Sequence, residues 1–225
     1  MKVNFVYNLD ALDFIGELRC RSIDLIILDP SYDQWDYFIS KGLIAECERV
    51  LKNTGNILCF TKQPFDFNLR KSVAHIFRRE LVWTFTNGGA WVSKKLPLVS
   101  FQKIFHCVLD KTDAFFEPRS GVPYSSKTKD FKRSSKVFEG YNQEGRNFCK
   151  DDRGTWIRDH YHFNKPHTGS LPSKPEELSN ILLQCYCPPQ GLFLDPFCGS
   201  GVFLKSCTNQ GKTFFASDLQ PKVLE

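Results

Sequence analysis

The sequence lacks the features that would place the protein in a membrane or outside the cell. Among its 225 residues, no apolar run approaches the roughly 18 residues of a membrane-spanning helix, and MKVNFVYNLD at the start is not a signal peptide. Cys-x-x-Cys pairs are absent although the chain has 9 cysteines, an odd and scattered set. Such a set favours free thiols in a reducing cytosol over disulfides or zinc. We therefore expect a cytoplasmic protein with no membrane association and no bound metal.

A strong net charge is also missing. The formal net charge is +5, with 41% hydrophobic and 24% charged residues, which is typical of a soluble globular protein. The length suits one substantial domain with a small insertion. The composition changes at Lys111, since the segment 111–165 has no clear periodicity and contains 12 basic but only 8 acidic residues. This segment suits a polyanionic partner without demanding one.

A glycine-rich turn stands out in LFLDPFCGSGVFLK, residues 192–205. Leu192–Leu194 predicts a short buried strand, and Val202 predicts the start of a helix. Between them, the glycines of Gly199–Gly201 leave room for a closely bound ligand, because glycine has no Cβ. Leu204 stands where the dinucleotide fingerprint and the phosphate loop both require glycine. The turn therefore predicts a ligand-binding loop of another kind, and a tight turn without a ligand is the alternative.

A second motif, Asp29-Pro30-Ser31-Tyr32, follows another buried-strand pattern, IDLIIL at Ile23–Leu28. In isolation this tetrapeptide is also ordinary turn chemistry. Ligands of open α/β sheets bind beyond the carboxyl ends of the strands. We therefore expect Asp29 and Gly199 to open into the same crevice.

Together, DPFCGSG and DPSY resemble the motifs of the β class of DNA amino methyltransferases, with the catalytic motif first and the cofactor loop last. The resemblance spans nearly the whole chain and has one departure, Ser31 in place of a second proline. It implies the Rossmann-like, S-adenosylmethionine-dependent α/β fold, with a mostly parallel, doubly wound sheet. It also implies a catalytic half at 1–110, a target-recognition insertion at 111–165 and a cofactor-binding half at 166–225.

The resemblance assigns catalysis to Asp29, Pro30, Ser31 and Tyr32. Asp29 and the carbonyl of Pro30 would accept the N–H groups of a target amine, and Tyr32 would stack on the base. Cofactor binding is implied for Asp10, Lys174, Asp195, Pro196, Phe197, Gly199, Ser200, Gly201 and Asp218. Asp10 is equally suited to a helix cap, and Lys174 to an exposed charge before a helix.

The densest basic run, KTKDFKRSSK, lies between the two motifs, where the family has its target-recognition region. We interpret it as a DNA-phosphate-binding segment, and a solvated, disordered loop is the alternative. Its basic residues are Lys127, Lys129, Lys132, Arg133 and Lys136. His160 and His162 lie just beyond it and are candidates for the same DNA-binding face.

The local pattern also predicts several supporting elements. Gln34–Phe38 is expected to be an aromatic-rich loop. Gly42–Leu51 predicts a helix, which Lys52–Gly55 would end before a strand at Asn56–Phe60. Thr213–Ser217 predicts a strand that places Asp218 where an acidic residue can bind ribose hydroxyls.

The function implied is methylation of adenine N6 in flipped-out bases of double-stranded DNA. Adenine is favoured because the motif begins with Asp29, whereas the family's cytosine-N4 enzymes more often begin with Ser. A cognate restriction endonuclease and a homodimer are compatible partners. Three alternatives remain: cytosine-N4 methylation of DNA, adenine-N6 methylation of RNA, and a catalytically silent nucleic-acid-binding subunit.

Overall fold

The structure is a computed structural model that describes residues 1–87, 97–119, 157–166 and 173–220. Within these ranges the strands are β1 Phe5–Tyr7, β2 Ile23–Leu28, β3 Leu51–Thr61, β4 Phe77–Thr84, β5 Phe101–Val108, β6 His160–His162, β7 Leu192–Asp195 and β8 Thr213–Ser217. The helices are α1 Ala11–Gly16, α2 Trp35–Ser40, α3 Leu43–Val50, α4 Asp66–Ser72, α5 Glu176–Tyr186 and α6 Val202–Asn209. A 3₁₀ turn at Tyr32–Gln34 joins β2 to α2.

The strands form one 8-stranded sheet in the order β1-β8-β7-β2-β3-β5-β4-β6. β5 is antiparallel to both of its neighbours, and all other neighbouring pairs are parallel. The expected α/β fold with a mostly parallel sheet is therefore confirmed. Because β1, β8, β7 and β2 run in the same direction, their carboxyl ends meet at one edge of the sheet, which we call the carboxyl edge.

Helices cover both faces of the sheet because the central strands are apolar on both faces. All six residues of β2 are buried, and its alternate residues Ile26 and Leu28 belong to a core cluster with α1 and α3. On β3 and β7, Phe60 and Phe193 contact the ring of Phe203 in α6. This two-sided burial is typical of the inner strands of parallel sheets.

Two local predictions are wrong. Gln34–Phe38 is helical rather than a loop, because Trp35 and Phe38 are buried one helical turn apart and Trp35 Nε1 donates to the carbonyl of Phe60 at 3.1 Å. The segment Lys52–Gly55 belongs to the first part of β3 rather than to the end of α3. The helix ends earlier, at Val50, since Leu51 is already extended.

Two buried polar side chains inside the sheet, those of Asp24 and Asn56, each make several hydrogen bonds. Asp24, near the amino end of β2, accepts from Lys52 Nζ at 2.9 and 2.8 Å and from Leu192 N at 2.8 Å. Asn56 on β3 donates to the carbonyls of Phe115 and Tyr186 and lies 2.8 Å from His106 Nε2. Since the amide of Asn56 already donates, its oxygen accepts from His106. These bonds connect neighbouring strands and the end of α5.

The chain divides into two compact units, Met1–Glu117 with Arg158–Glu225, and Pro118–Ile157. The first contains the whole sheet. In the second, the described residues include Ile157, whose N–H donates to the carbonyl of Pro118 at 2.9 Å. Residues 158–165, which the sequence assigned to the insertion, lie in the first unit, where β6 pairs with β4. The functional division into three segments stays a prediction.

Candidate active site

A cavity of about 450 Å³ lies at the carboxyl edge of the sheet. Its walls come from residues that follow β1, β2, β7 and β8, together with the segment before α5. Asp29 and Gly199 both line it, so the two motifs meet across one crevice. Among the sequence-predicted residues, the cavity is also lined by Asp10, Pro30, Ser31, Lys174, Pro196, Phe197, Ser200 and Asp218.

Asp29 is held from two sides. Its Oδ2 atom pairs with Lys174 Nζ, and its Oδ1 atom lies 3.3 Å from the hydroxyl of Tyr32. The Tyr32 hydroxyl has a single proton, and its shorter contact is the one to Gln102 Oε1 at 2.8 Å, which anchors the ring to β5. Lys174 and Asp29 retain 13% and 22% side-chain exposure, so both remain accessible to a ligand in the cavity. The carboxylate of Asp29 is therefore held in a fixed position and remains accessible to a ligand in the cavity.

Burial shapes the proton affinity of this group. Desolvation raises the pKa of Asp29 above the ordinary value for aspartate, and the Lys174 ammonium and the hydrogen bonds oppose that rise. Desolvation, followed by the neighbouring charge of Asp29, raises the pKa of Tyr32. Tyr32 thus stays a neutral hydroxyl at physiological pH. The arrangement can present the Asp29 carboxylate to a ligand in the cavity, whereas Tyr32 contacts Asp29 but is not among the residues that line the cavity.

The bend after Asp29 is formed by Pro30 and Ser31. Ser31 has φ −54° and ψ 126°, and its carbonyl accepts from Gln34 N at 2.8 Å in the 3₁₀ turn. Among the described residues, no acceptor is bonded to the Ser31 N–H. The bend therefore has a backbone conformation at Ser31 that a proline could also adopt.

The glycine-rich turn is held in shape by Asp218. Gly199 and Gly201 adopt φ +48° and +73°, which glycine tolerates without strain. Asp218 Oδ2 accepts from Gly199 N at 2.9 Å, and its Oδ1 accepts from Gln220 N at 2.8 Å. Gly201, which precedes α6, does not line the cavity itself. The carboxylate of Asp218 both closes the turn and lines the cavity.

Asp195, the first residue of DPFCGSG, is buried and is not among the residues that line the cavity. Its Oδ1 accepts from Phe197 N at 3.2 Å. Desolvation, together with the charges of Asp29 and Asp218, raises the pKa of Asp195 to about 8. At neutral pH this side chain is therefore mainly a protonated acid, and its bond to Phe197 N stabilises the start of the turn.

Other contacts connect the parts of the cavity wall. Asp10 accepts from Leu12 N at 2.8 Å, so it caps α1 and lines the cavity at once. Ser200 lies 3.1 Å from Ser173 through their hydroxyls, which joins the glycine-rich turn to the segment carrying Lys174. The ring of Phe197 packs edge-on against Phe38 of α2, with centroids 4.9 Å apart. Both alternatives weighed for Asp10 are compatible with this geometry.

Some sequence predictions fall outside the site or outside the described residues. The basic residues Lys127, Lys129, Lys132, Arg133 and Lys136 lie outside the described ranges. His160 and His162 both lie 3.0 Å from Thr84 Oγ1 at the β4–β6 edge. In the described part of the chain, no group of three or more His, Cys, Asp or Glu residues is arranged to hold a metal ion.

Sequence reasoning missed two features of the site. The pairing of Lys174 with Asp29 joins distant parts of the chain, and no local pattern indicates it. Gln102, the partner of Tyr32, lies on the antiparallel strand β5 and carries no motif. Leu9, Gln34 and Gln220 also line the cavity and were not predicted.

Comparison with known proteins identifies sequence relatives of matching length. A model of a DNA methylase family, covering N6 and N4 methyltransferases, matches residues 23–225. The DNA adenine methyltransferase YhdJ of Escherichia coli is 24% identical, over 96% of this chain and 78% of its own. The Type II methyltransferase M1.MboII of Moraxella bovis is 22% identical, over 100% of this chain and 95% of its own.

Solved structures show the same fold at low sequence identity. The cytosine-N4-specific PvuII DNA methyltransferase superposes with a TM-score of 0.68 at 11% identity, over 96% of this chain and 82% of its own. The complex of M1.HpyAVI with SAM superposes with a TM-score of 0.61 at 16% identity, over 96% of this chain and 94% of its own.

Across the described ranges, none of the helices is long and apolar enough to cross a bilayer.

Proposed function

Because the chain belongs to the N6/N4 DNA methylase family, whose model spans residues 23–225, we propose that it transfers a methyl group from S-adenosylmethionine to adenine N6 in DNA. The observation that carries this proposal is the meeting of Asp29 and Gly199 in the wall of one cavity. A methyl acceptor beside Asp29 and a donor on the glycine-rich turn would then face each other.

The residues around the cavity fit the cofactor. A volume of about 450 Å³ lies in the range of small-molecule sites. The carboxyl groups of Asp10 and Asp218 suit ribose hydroxyls and an ammonium group, and the acidic surroundings suit a cationic sulfonium. When bound, the cofactor supplies an electrophilic methyl group, so the protein needs no covalent intermediate. Gly199 in the turn leaves space for the ligand because it has no Cβ. Lys174 contributes a positively charged side chain to the cavity wall.

Asp29 would work by orienting the target amine. Its carboxylate and the carbonyl of Pro30 would each accept one N–H, which favours a pyramidal nitrogen with its lone pair aimed at the methyl group. Lys174 supports this role because its charge opposes the rise in the pKa of Asp29 and so favours the ionised acceptor. Tyr32, held by Gln102, would stack on the base. A base paired in a duplex cannot enter the cavity, so the target must be flipped out.

Adenine is the proposed base for two reasons. The motif begins with Asp29, and a relative matched over 96% of this chain is named a DNA adenine methyltransferase. Double-stranded DNA is the proposed partner. The cognate endonuclease, the homodimer and the cytoplasmic location stay predictions.

Nucleoside analysis tests the proposal directly. The protein is incubated with tritiated S-adenosylmethionine and unmethylated genomic DNA, and the digested nucleosides are separated. Label in N6-methyldeoxyadenosine is expected. Label in N4-methyldeoxycytidine would correct the base, and label only with RNA would overturn the DNA substrate. Asp29→Asn, prepared identically, controls for a contaminating host methylase.

A further inference from the structure

Three lysine side chains lie near one another at the carboxyl edge, and two of them lie over the ring of Tyr32. Lys62 Nζ and Lys174 Nζ lie 5.5 and 5.9 Å from the centroid of the Tyr32 ring. Lys165 Nζ lies 4.0 Å from the ring centroid of Phe85, which follows β4. Lys174 lines the cavity, whereas Lys62 and Lys165 do not. The cluster thus has one member inside the cavity and two outside it.

The positive charge of this cluster is only partly compensated. Lys174 pairs with Asp29, but within the described ranges no acidic side chain forms an ion pair with Lys62 or Lys165. Burial, followed by the charges of Lys174 and Lys62, lowers the pKa of Lys165. Like charges held close together repel one another, and an anion placed among them relieves that repulsion. Binding of a negatively charged ligand among these lysines would therefore be electrostatically favourable.

The backbones that carry Lys62 and Lys165 are fixed. Asn87 Nδ2 donates to the carbonyl of Lys165 at 2.7 Å, and Asn87 Oδ1 accepts from Lys165 N at 2.8 Å. Lys62 directly follows β3, and its carbonyl accepts from Asp66 N at 3.1 Å where α4 begins. Each side chain therefore starts from a defined point at the same sheet edge as Asp29.

We infer that Lys62 and Lys165 bind the phosphodiester groups that flank the flipped-out nucleotide. The inference rests on the proposed function, because a base that is stacked on Tyr32 and bonded to Asp29 brings its own sugar and phosphates to the mouth of the cavity. Phosphate contacts of this kind position the nucleic acid and carry no sequence information. They would act alongside the basic run at 127–136, whose residues were predicted from sequence alone.

Salt-dependent DNA binding tests the inference. The variants are Lys62→Gln, Lys165→Gln and the double variant, and the probe is a duplex oligonucleotide with the sequence that the wild-type protein methylates. Each lost phosphate contact should reduce the slope of log K against log[salt] by about 0.9. Between 1 M and 0.1 M salt, a slope that is smaller by about 0.9 means that K rises roughly eightfold less. Each lost contact should therefore weaken binding roughly eightfold at 0.1 M salt.

Matched variants separate charge from packing. Lys62→Arg and Lys165→Arg keep the positive charge and should restore the slope. Lys2→Gln removes an exposed lysine before the amino end of β1, on the opposite edge of the sheet, and should leave the slope unchanged. S-adenosylmethionine affinity, measured by calorimetry, should not change in any of these variants because none of the residues lines the cavity.

The outcomes are distinguishable. A double variant with the wild-type slope, in a protein that methylates DNA, overturns the inference and leaves the proposed function intact. A wild-type protein that neither binds nor methylates duplex DNA overturns the proposed function and the inference with it. Lysine acetylation of the unaltered protein gives a test that does not depend on folding of the variants. DNA should protect Lys62 and Lys165 but not Lys2, and equal modification would contradict the inference.

Discussion

Two aspartates at the two ends of β2 differ in how many of their carboxylate acceptor sites are occupied by hydrogen bonds within the protein. Asp24, near the amino end, is bonded by Lys52 through both oxygens and also by Leu192 N, and its side chain is 9% exposed. Asp29, just past the carboxyl end, is also paired with a lysine, but it is 22% exposed and lines a cavity. Asp24 thus uses its acceptor capacity to hold three strands together, whereas Asp29 keeps capacity for a ligand.

The largest effect expected from this difference is on catalysis. Asp29→Asn should lower kcat by about 10²–10³-fold, because a positioned group that stabilises the transition state is lost. Asp24→Asn should instead lower the free energy of unfolding by about 1–3 kcal/mol, because a buried ion pair and its hydrogen bonds are weakened. Single-turnover methylation and urea unfolding of both variants measure the two effects. Equal kcat in Asp29→Asn and wild type would refute the contrast.

A second prediction concerns His106, a buried residue inside the sheet whose Nε2 atom is bonded to Asn56. Burial lowers the pKa of His106 to about 3, whereas an unfolded histidine titrates near 6.5. The unfolded state therefore takes up a proton first as the pH falls, so stability is lost progressively from about pH 6.5 to about pH 3. Between pH 7 and pH 5 the loss from this group should be about 2 kcal/mol.

Urea unfolding at both pH values measures this loss. His106→Gln should be less stable at pH 7 but should lose less on acidification than the wild type. His75→Gln, at an exposed histidine paired with Glu48, provides the matched control. An identical pH dependence in wild type and His106→Gln would contradict the assignment.

A third prediction sharpens the role of the lysine partner of Asp29. Lys174→Met removes the positive charge that opposes the rise in the pKa of Asp29. Because Asp29 would act as a carboxylate, the acid limb of the pH–rate profile should move to higher pH. Each pKa unit costs about tenfold in activity on that limb. Lys174→Arg should restore most of the profile, and a loss of activity that is the same at every pH would argue for a purely structural role.

The smallest effect is expected at the anchor of Tyr32. Gln102→Leu and Tyr32→Phe both remove the hydrogen bond between Tyr32 and Gln102, which is worth about 0.5–1.5 kcal/mol. Tyr32→Phe also removes the hydroxyl that lies 3.3 Å from Asp29 Oδ1. The KM for DNA should rise by a few-fold while cofactor affinity stays constant. If the bond to Gln102 is the shared cause, the double variant should be no worse than Tyr32→Phe alone. Additive losses would show that the two residues act separately.

The sequence predicted best what is local. The strand Thr213–Ser217 is found with the expected bounds, and both motifs follow buried strands as their apolar patterns indicate. The meeting of Asp29 and Gly199 followed from the rule for carboxyl ends of parallel strands. The strand bounds follow from local periodicity. The meeting of the two motifs, which are distant in the chain, also required the parallel sheet that the family resemblance implies.

What depends on distant contacts could not be predicted. Trp35–Ser40 forms a helix because Trp35 is bonded to Phe60 on a different strand. Gln102 becomes part of the site only because β5 brings it beside Tyr32, and Lys174 only because its segment crosses to Asp29. Such pairings result from the tertiary structure, so no local spacing reports them.

The bend at Ser31 shows that a serine can hold a conformation that proline usually enforces. Its φ of −54° lies within the range of a pyrrolidine ring, and no described acceptor would lose a bond if its N–H were removed. A proline at this position would restrict the conformations of the unfolded chain and so reduce its conformational entropy. We expect Ser31→Pro to raise the free energy of unfolding by about 0.4–1 kcal/mol without changing the native structure. The surrounding fold thus sets the backbone conformation at this position without the help of a pyrrolidine ring.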